Sequence, residues 1–295
     1  MKLGFESFTI LKDFLEDFEG TLKKLDGLGF RYLEWLNVNA GSDPGLGNGY
    51  SPAEARNIFA AHGLTLVGGI FAGADQEALV FDMERIQRII DWYAEAGCST
   101  IGLGADYFPD AEFLKRRMET YNEIGRRCKA AGLSFMYHNH FHEQQHINGR
   151  PILDQIVEMT DPELVGFDWD AYWSLRGLMD PVKMIKRLGG RIKSMHCKDF
   201  PFERLDEVNI TSRLKLDEPL SFSQDDQAFD MSLVDPQDFI ECGQGIIKWQ
   251  EVVDAANEAG VPYMFVEQDY SRHDLYECLK ISKDYMLTLN GMTLD

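Results

Sequence analysis

Basic residues are scarce in this chain: 49 Asp and Glu stand against 29 Lys and Arg, a formal charge of −20 over 295 residues. A surface that acidic repels nucleic-acid phosphates and anionic lipid headgroups, so neither is expected as a bulk partner. Long apolar runs are also missing. None approaches the ~18 residues that span a bilayer, and Met1 to Ser7 enter a strand pattern with no signal-peptide core, so a cytoplasmic protein is expected. The five cysteines (Cys98, Cys128, Cys197, Cys242, Cys278) are odd in number, widely spaced and lack any C-x-x-C pair. They read as reduced thiols. No G-x-G-x-x-G follows the first strand pattern, which weakens a doubly wound nucleotide-binding sheet, and no Pro/Ser-rich linker divides the chain.

What is present is a regular alternation. With 44% hydrophobic and 12% aromatic residues the chain can bury a large core. Strand-like runs read as Lys2 to Ile10, Arg31 to Leu36, Thr65 to Ile70, Thr100 to Leu103, Leu133 to His140, Val165 to Asp170, Ile192 to Lys198 and Tyr263 to Gln268. Helical spacing reads over Leu11 to Leu28, Pro52 to His62, Glu77 to Ala96, Ala111 to Ala131, Pro151 to Met159, Pro181 to Leu188, Ile247 to Ala259 and Asp274 to Leu289. Entry into the next strand is repeatedly marked by a Gly just past a helix end: Gly29, Gly63, Gly97, Gly132, Gly189-Gly190 and Gly260. Eight strand-helix units with such stops predict parallel pairing and an α/β fold, a single (β/α)8 barrel of the TIM type over 1–295. One stretch breaks the rhythm, a long insertion after strand 7 at 201–246. From Phe202 to Glu241 it carries eleven acidic and three basic residues. A long loop on that face reads as a lid, a subunit contact or a solvated excursion.

Four strand patterns end in metal-ligand residue types: His138-Asn139-His140, Asp168-Trp169-Asp170, His196-Cys197-Lys198-Asp199 and Glu267-Gln268-Asp269. A parallel β/α barrel carries its chemistry at those carboxyl ends. Alternate residues point inward, so His138 groups with His140, Asp168 with Asp170, His196 with Lys198, and Glu267 with Asp269. Unpaired charge inside a barrel is costly, and four strands that each place such groups at the mouth point to a bound ion. Mixed oxygen and nitrogen donors suit one divalent metal ion: Mn²⁺, Mg²⁺, Co²⁺ or Zn²⁺.

Together with Gly-Gln-Gly-Ile-Ile-Lys-Trp (Gly243 to Trp249), the segments Tyr137 to Glu143, Asp168 to Trp173, His196 to Asp199 and Val266 to Asp269 resemble the xylose isomerase-like barrel superfamily. Within it the resemblance is to the sugar phosphate isomerase/epimerase group, which also includes inosose dehydratases and ketose 3-epimerases. The resemblance implies a metal held by Glu, Asp, His and Glu from strands five to eight. By matching motif this gives Asp170, His196 and Glu267. The first position departs from the pattern and falls on His138, with His140 or Glu143 in reserve. The implied chemistry is proton abstraction beside a carbonyl, with the enediolate stabilised by the ion. Glu267 is the expected base, Glu143 or His140 its partner, and Lys198 a substrate contact or an ion pair with Asp199 or Asp170. Trp35, Tyr172 and Trp173 suit stacking on a sugar, and Glu34 and Arg272 suit its hydroxyls.

The leading expectation is a metal-dependent isomerase or epimerase acting on an unphosphorylated ketose or keto-sugar. A lyase or dehydratase of a keto-inositol or 3-keto-sugar is the nearest alternative, and a non-catalytic sugar-binding barrel a third. An apurinic-site endonuclease of the same fold class is disfavoured by the charge. A small-molecule sugar is the expected substrate, and a homo-oligomer is implied by the resemblance.

Overall fold

In the computed structural model, described for residues 1–72 and 75–295, eight parallel strands close into a barrel in chain order. They are Lys2–Glu6, Tyr32–Asn37, Thr65–Phe71, Thr100–Leu103, Ser134–His138, Val165–Asp170, Ile192–Cys197 and Tyr263–Val266, the first pairing with the last through Lys2 and Tyr263. Helices between them pack outside, which is the (β/α)8 architecture expected from the alternation. The outer layer follows from helical periodicity. Met83–Ala96, for instance, buries Ile86, Ile89, Ile90 and Tyr93, is capped by Asp82, and stops at Gly97 (φ 83°), a left-handed position that glycine adopts without strain.

Several boundaries differ from expectation, and side-chain capping explains them. The first strand stops at Glu6, not Ile10, because the Glu6 carboxylate accepts the Phe8 N–H at 2.6 Å and turns Ser7–Ile10 into a 3-10 segment. The helix read as Leu11 to Leu28 is divided at Asp17, which caps the second piece by accepting the Gly20 N–H at 3.0 Å. A short helix, Ala171–Arg176, was not anticipated. It starts directly on the sixth strand because Asp170 accepts the Trp173 N–H at 2.7 Å. The fifth and seventh strands end at His138 and Cys197, so His140 and Lys198 lie just past their strands.

The 201–246 insertion is folded. It holds the helix Gln224–Ser232 and three 3-10 turns, at Phe202–Glu207, Ile210–Arg213 and Pro236–Asp238. Asp199 pins its two ends: its carboxylate accepts from Phe200 N (2.9 Å), Gly243 N (3.2 Å), Ile247 N (3.0 Å) and Trp249 Nε1 (2.9 Å). Asp238, fully buried, accepts from Arg176 at 3.0 Å and Arg204 at 2.5 Å. Part of the acidic content is thus structural rather than solvated.

Candidate metal centre and substrate cavity

Inward parity along the strands builds the site in layers. Met136, Asp168 and Ser194 share one layer, where Ser194 donates to Asp168 at 2.7 Å. One step toward the carboxyl ends lie His138, Asp170 and His196, and beyond them the turns carrying His140, Lys198 and Asp269. One donor atom from each of His138, Asp170, His196 and Glu267 lies within 4.8 Å of all the others, and all four residues are buried. His196 is the hub. Its Nδ1 meets Glu267 at 2.9 Å, and its Nε2 meets Glu34 at 2.7 Å and Asp168 at 2.9 Å. His138 Nδ1 meets Asp168 at 3.1 Å. A second donor set, Glu34, Asp168 and His196, shares that histidine. His138, His196 and Glu267 line the cavity, whereas Glu34 and Asp168 are wholly buried beneath it. The lower carboxylates therefore suit orienting the imidazoles rather than holding an ion, as acidic partners of ligand histidines commonly do.

Lys198 completes the cluster. Its ammonium reaches Glu267 at 2.5 Å, Asp269 at 2.8 Å and Asp170 at 3.2 Å, and sits 5.4 Å from the centre of the Trp173 ring. Its ion partners are these three carboxylates, which include the expected Asp170 but not Asp199. Burial would lower Lys198, but the three carboxylates outweigh it and hold the group well above the ordinary lysine range. Burial would likewise raise Glu267, yet Lys198 and His196 keep it well below the usual carboxylate range. His196 is the mirror case, with burial overcome by Asp168 and Glu267 so that it lies well above the usual histidine value. His140 goes the other way: burial, with His138 and His142 beside it, holds it well below the usual value, hence neutral.

The donor set fits a divalent cation. Asp170, Glu267 and Asp269 converge on Lys198, and Glu34 and Asp168 on His196, while burial and the neighbouring Glu267 push Glu6 well above the usual carboxylate range. Burial that concentrates carboxylates in this way is costly without further positive charge. Two oxygen and two nitrogen donors suit Zn²⁺, Mn²⁺ or Co²⁺, and the oxygens alone suit Mg²⁺.

Above the cluster opens a cavity of about 510 Å³, walled by turns from around the barrel and by the insertion. Of the residues expected to touch substrate, His140, Lys198 and Trp173 line it. Four do not reach it. Glu34 is buried beneath it against His196. Trp35 alternates with the inward Glu34, so it faces the helices, packs on Phe14 and Phe59, and donates Nε1 to the Leu46 carbonyl. Tyr172 is buried against Phe239 and bonds the Asp238 carbonyl. Arg272 donates to the Gln237 carbonyl at the surface. Glu143 is fully buried away from the cavity, accepting from Tyr137 Oη at 2.5 Å and from the His140 N–H at 2.9 Å. That arrangement fixes the turn carrying His140. Sequence reasoning missed Glu6, which lines the cavity, and Asp230 in the insertion. The same strand-end rule that singled out Glu267 flags Glu6, whereas nothing in the sequence marks Asp230 apart from its neighbours.

Residues 22–280 match the family model of the xylose isomerase-like TIM barrel, and the chain belongs to that family. Its curated relatives include an inosose dehydratase of Mesomycoplasma hyopneumoniae, 28% identical over 187 residues, 62% of this chain and 56% of that one. Another is an inosose dehydratase of Geobacillus kaustophilus, 33% identical over 90 residues, 30% of this chain and 28% of that one. These matches span less than two thirds of the relatives' own length. Among solved structures, a sugar phosphate isomerase/epimerase from Parabacteroides distasonis superposes with a TM-score of 0.77 at 19% identity, covering 99% of this chain and 95% of that one. An IolI protein solved with a bound zinc atom gives 0.67 at 15% identity, covering 98% and 97%. At these identities the superpositions establish the fold. Among the described residues no helix is long and apolar enough to cross a membrane.

Proposed function

We propose that the chain is a metal-dependent lyase that dehydrates a keto-inositol or a related 3-keto-sugar. The single observation that carries this is the buried set His138, Asp170, His196 and Glu267 beneath a cavity, in a chain whose relatives include inosose dehydratases. Elimination takes precedence over isomerisation or epimerisation for a local reason. Epimerisation needs a base and an acid on opposite faces of one carbon. Here an imidazole, His138, stands at the first ligand position where the family pattern has a carboxylate, and of the two candidate ligand carboxylates only Glu267 lines the cavity, so the pair of ligand carboxylates that would serve epimerisation is not formed.

When bound, the ion would supply Lewis acidity that stabilises negative charge on the substrate oxygens. The protein residues do the rest. Glu267, kept ionised by Lys198 and His196, removes the proton beside the carbonyl. Lys198, anchored by three carboxylates, presents a fixed positive charge to a substrate oxygen. Neutral His140, whose Nδ1 has no partner among the described residues, relays to the departing hydroxyl the proton that Glu267 has taken up, so that the hydroxyl leaves as water and Glu267 is ionised again, and Glu143 holds the His140 turn in place. Trp173 offers a flat apolar wall to the ring.

The test incubates metal-loaded protein with a keto-inositol, 3-keto-glucose and a panel of ketoses, following products by NMR. A chelator-sensitive dehydrated product supports the reading. Epimerised or isomerised ketose without loss of water replaces it with the isomerase reading, and sugar binding without turnover replaces it with a binding barrel.

A further inference from the structure

Asp230 lies on the insertion helix Gln224–Ser232 and is 8% exposed. Its Oδ2 accepts a hydrogen bond from Tyr107 Oη at 2.8 Å, while Oδ1 is buried with no partner among the described residues. The residue lines the substrate cavity beside Met231 and Val234. A buried carboxylate oxygen is normally matched by a donor, and Asp230 is among the residues that line the cavity. Asp230 is not one of the candidate metal donors. His138, His140, His142 and Tyr107 follow one another along the wall with ring centres 4.9, 5.7 and 4.9 Å apart, and Asp230 sits beyond the last of them.

Two independent features describe what reaches that far. Phe8, Met231 and Tyr270, exposed at 42%, 60% and 36%, come from three distant parts of the chain and line this one cavity. Large apolar side chains gathered in the open at a cavity mouth mark a ligand contact. The cavity is also large for its proposed core substrate. A six-carbon ring polyol occupies on the order of 200 Å³ if each heavy atom takes about half of a water's ~30 Å³ share. More than half of the 510 Å³ is then left for other atoms.

We propose that Asp230, Met231 and Val234 form a second subsite of the cavity, selecting a keto-sugar that carries an apolar, hydroxyl-bearing substituent over a free ring polyol or ketose. The inference rests on the keto-sugar lyase reading for the ring end of the substrate. Asp230 Oδ1 accepts a hydrogen bond from the substituent's hydroxyl, Tyr107 holds the carboxylate in place, and Phe8, Met231 and Tyr270 cover the apolar body. The insertion is thereby a specificity element.

The test is calorimetric titration of the full-length, metal-loaded protein with two unreactive probes, 4-hydroxyphenyl β-glucoside and methyl β-glucoside, alongside turnover of their 3-keto forms. The hydroxyphenyl probe is expected to bind at least about tenfold more tightly, and Asp230→Ala to remove about tenfold of that difference, the worth of one hydrogen bond to a charged group, leaving the methyl probe unchanged. Met231→Ser, at an exposed position that tolerates polarity, is expected to weaken only the hydroxyphenyl probe. Tyr107→Phe controls for loosening of the helix and should cost less than Asp230→Ala. Equal affinity for the two probes, no measurable binding of either, or a loss from Asp230→Ala that is the same for both, overturns the subsite. The two readings fail separately. Asp230-dependent binding with no chelator-sensitive turnover of any keto-sugar removes the lyase and keeps the subsite, while turnover of a keto-inositol without preference for the substituent does the reverse.

Discussion

Replacing Lys198 by Met keeps the length of the side chain and removes its charge, and the structure sets the consequence. The ammonium is 1% exposed and within 3.2 Å of Asp170, Glu267 and Asp269, so its loss strands three buried carboxylates. Removing one partner of a buried ion pair costs about 3–5 kcal/mol, and for a chain of this size that lowers Tm on the order of 10 °C. Thermal and urea unfolding of chelator-treated protein measures it. In the variant Glu267 and Asp269 titrate above their unfolded values, so the folded state binds more protons than the unfolded one. The deficit is then greatest in neutral and basic solution and shrinks as the pH falls into the carboxylate range. Adding Mn²⁺ should recover part of the loss, because the ion binds only the folded cluster and supplies the missing charge. A loss below about 1 kcal/mol, the worth of an exposed pair, or a deficit that does not change with pH, refutes this account of the cluster.

Other outcomes follow from the same geometry. His196→Ala should lose bound metal by elemental analysis, and full occupancy would move the ion elsewhere. Trp35→Ala should cost about 3–5 kcal/mol in unfolding while leaving kcat/KM of the folded protein unchanged, since the ring packs among helices; a selective loss of kcat/KM would return Trp35 to the substrate site. Glu143→Gln should lower stability by about 1–3 kcal/mol through the Tyr137 and His140 contacts and slow turnover only modestly. A complete loss of turnover in a stable Glu143→Gln protein would make that carboxylate the acid.

Much of the barrel is legible because hydrophobic period and helix-stop glycines are local signals. All eight strands fall on their expected segments, and Gly97 and Gly260 end helices in the left-handed conformation. The misread boundaries at Glu6, Asp17 and Asp170 share a cause: each acidic side chain turns back to cap its own backbone, a contact that periodicity does not register. Inward parity brought His138, Asp170, His196 and Glu267 together on paper because they end adjacent strands. Parity applied to the second strand also separates Glu34 from Trp35, a distinction that aromatic character alone does not carry. Asp230 was illegible for a different reason. It reaches the cavity through the path of a 46-residue insertion, 201–246, whose fold depends on long-range pairs such as Asp199 with Trp249 and Asp238 with Arg176.

The most direct test of the central claim, that Glu267 abstracts a proton beside a carbonyl at a metal held by His138, Asp170 and His196, is proton NMR in D₂O. Metal-loaded wild-type and Glu267→Gln proteins are incubated with a keto-inositol and with 3-keto-glucosides, with and without chelator. The account predicts deuterium at the carbon beside the carbonyl with wild-type protein alone, abolished by chelator and by Glu267→Gln. Undiminished exchange in Glu267→Gln, or exchange indifferent to chelator, would contradict it.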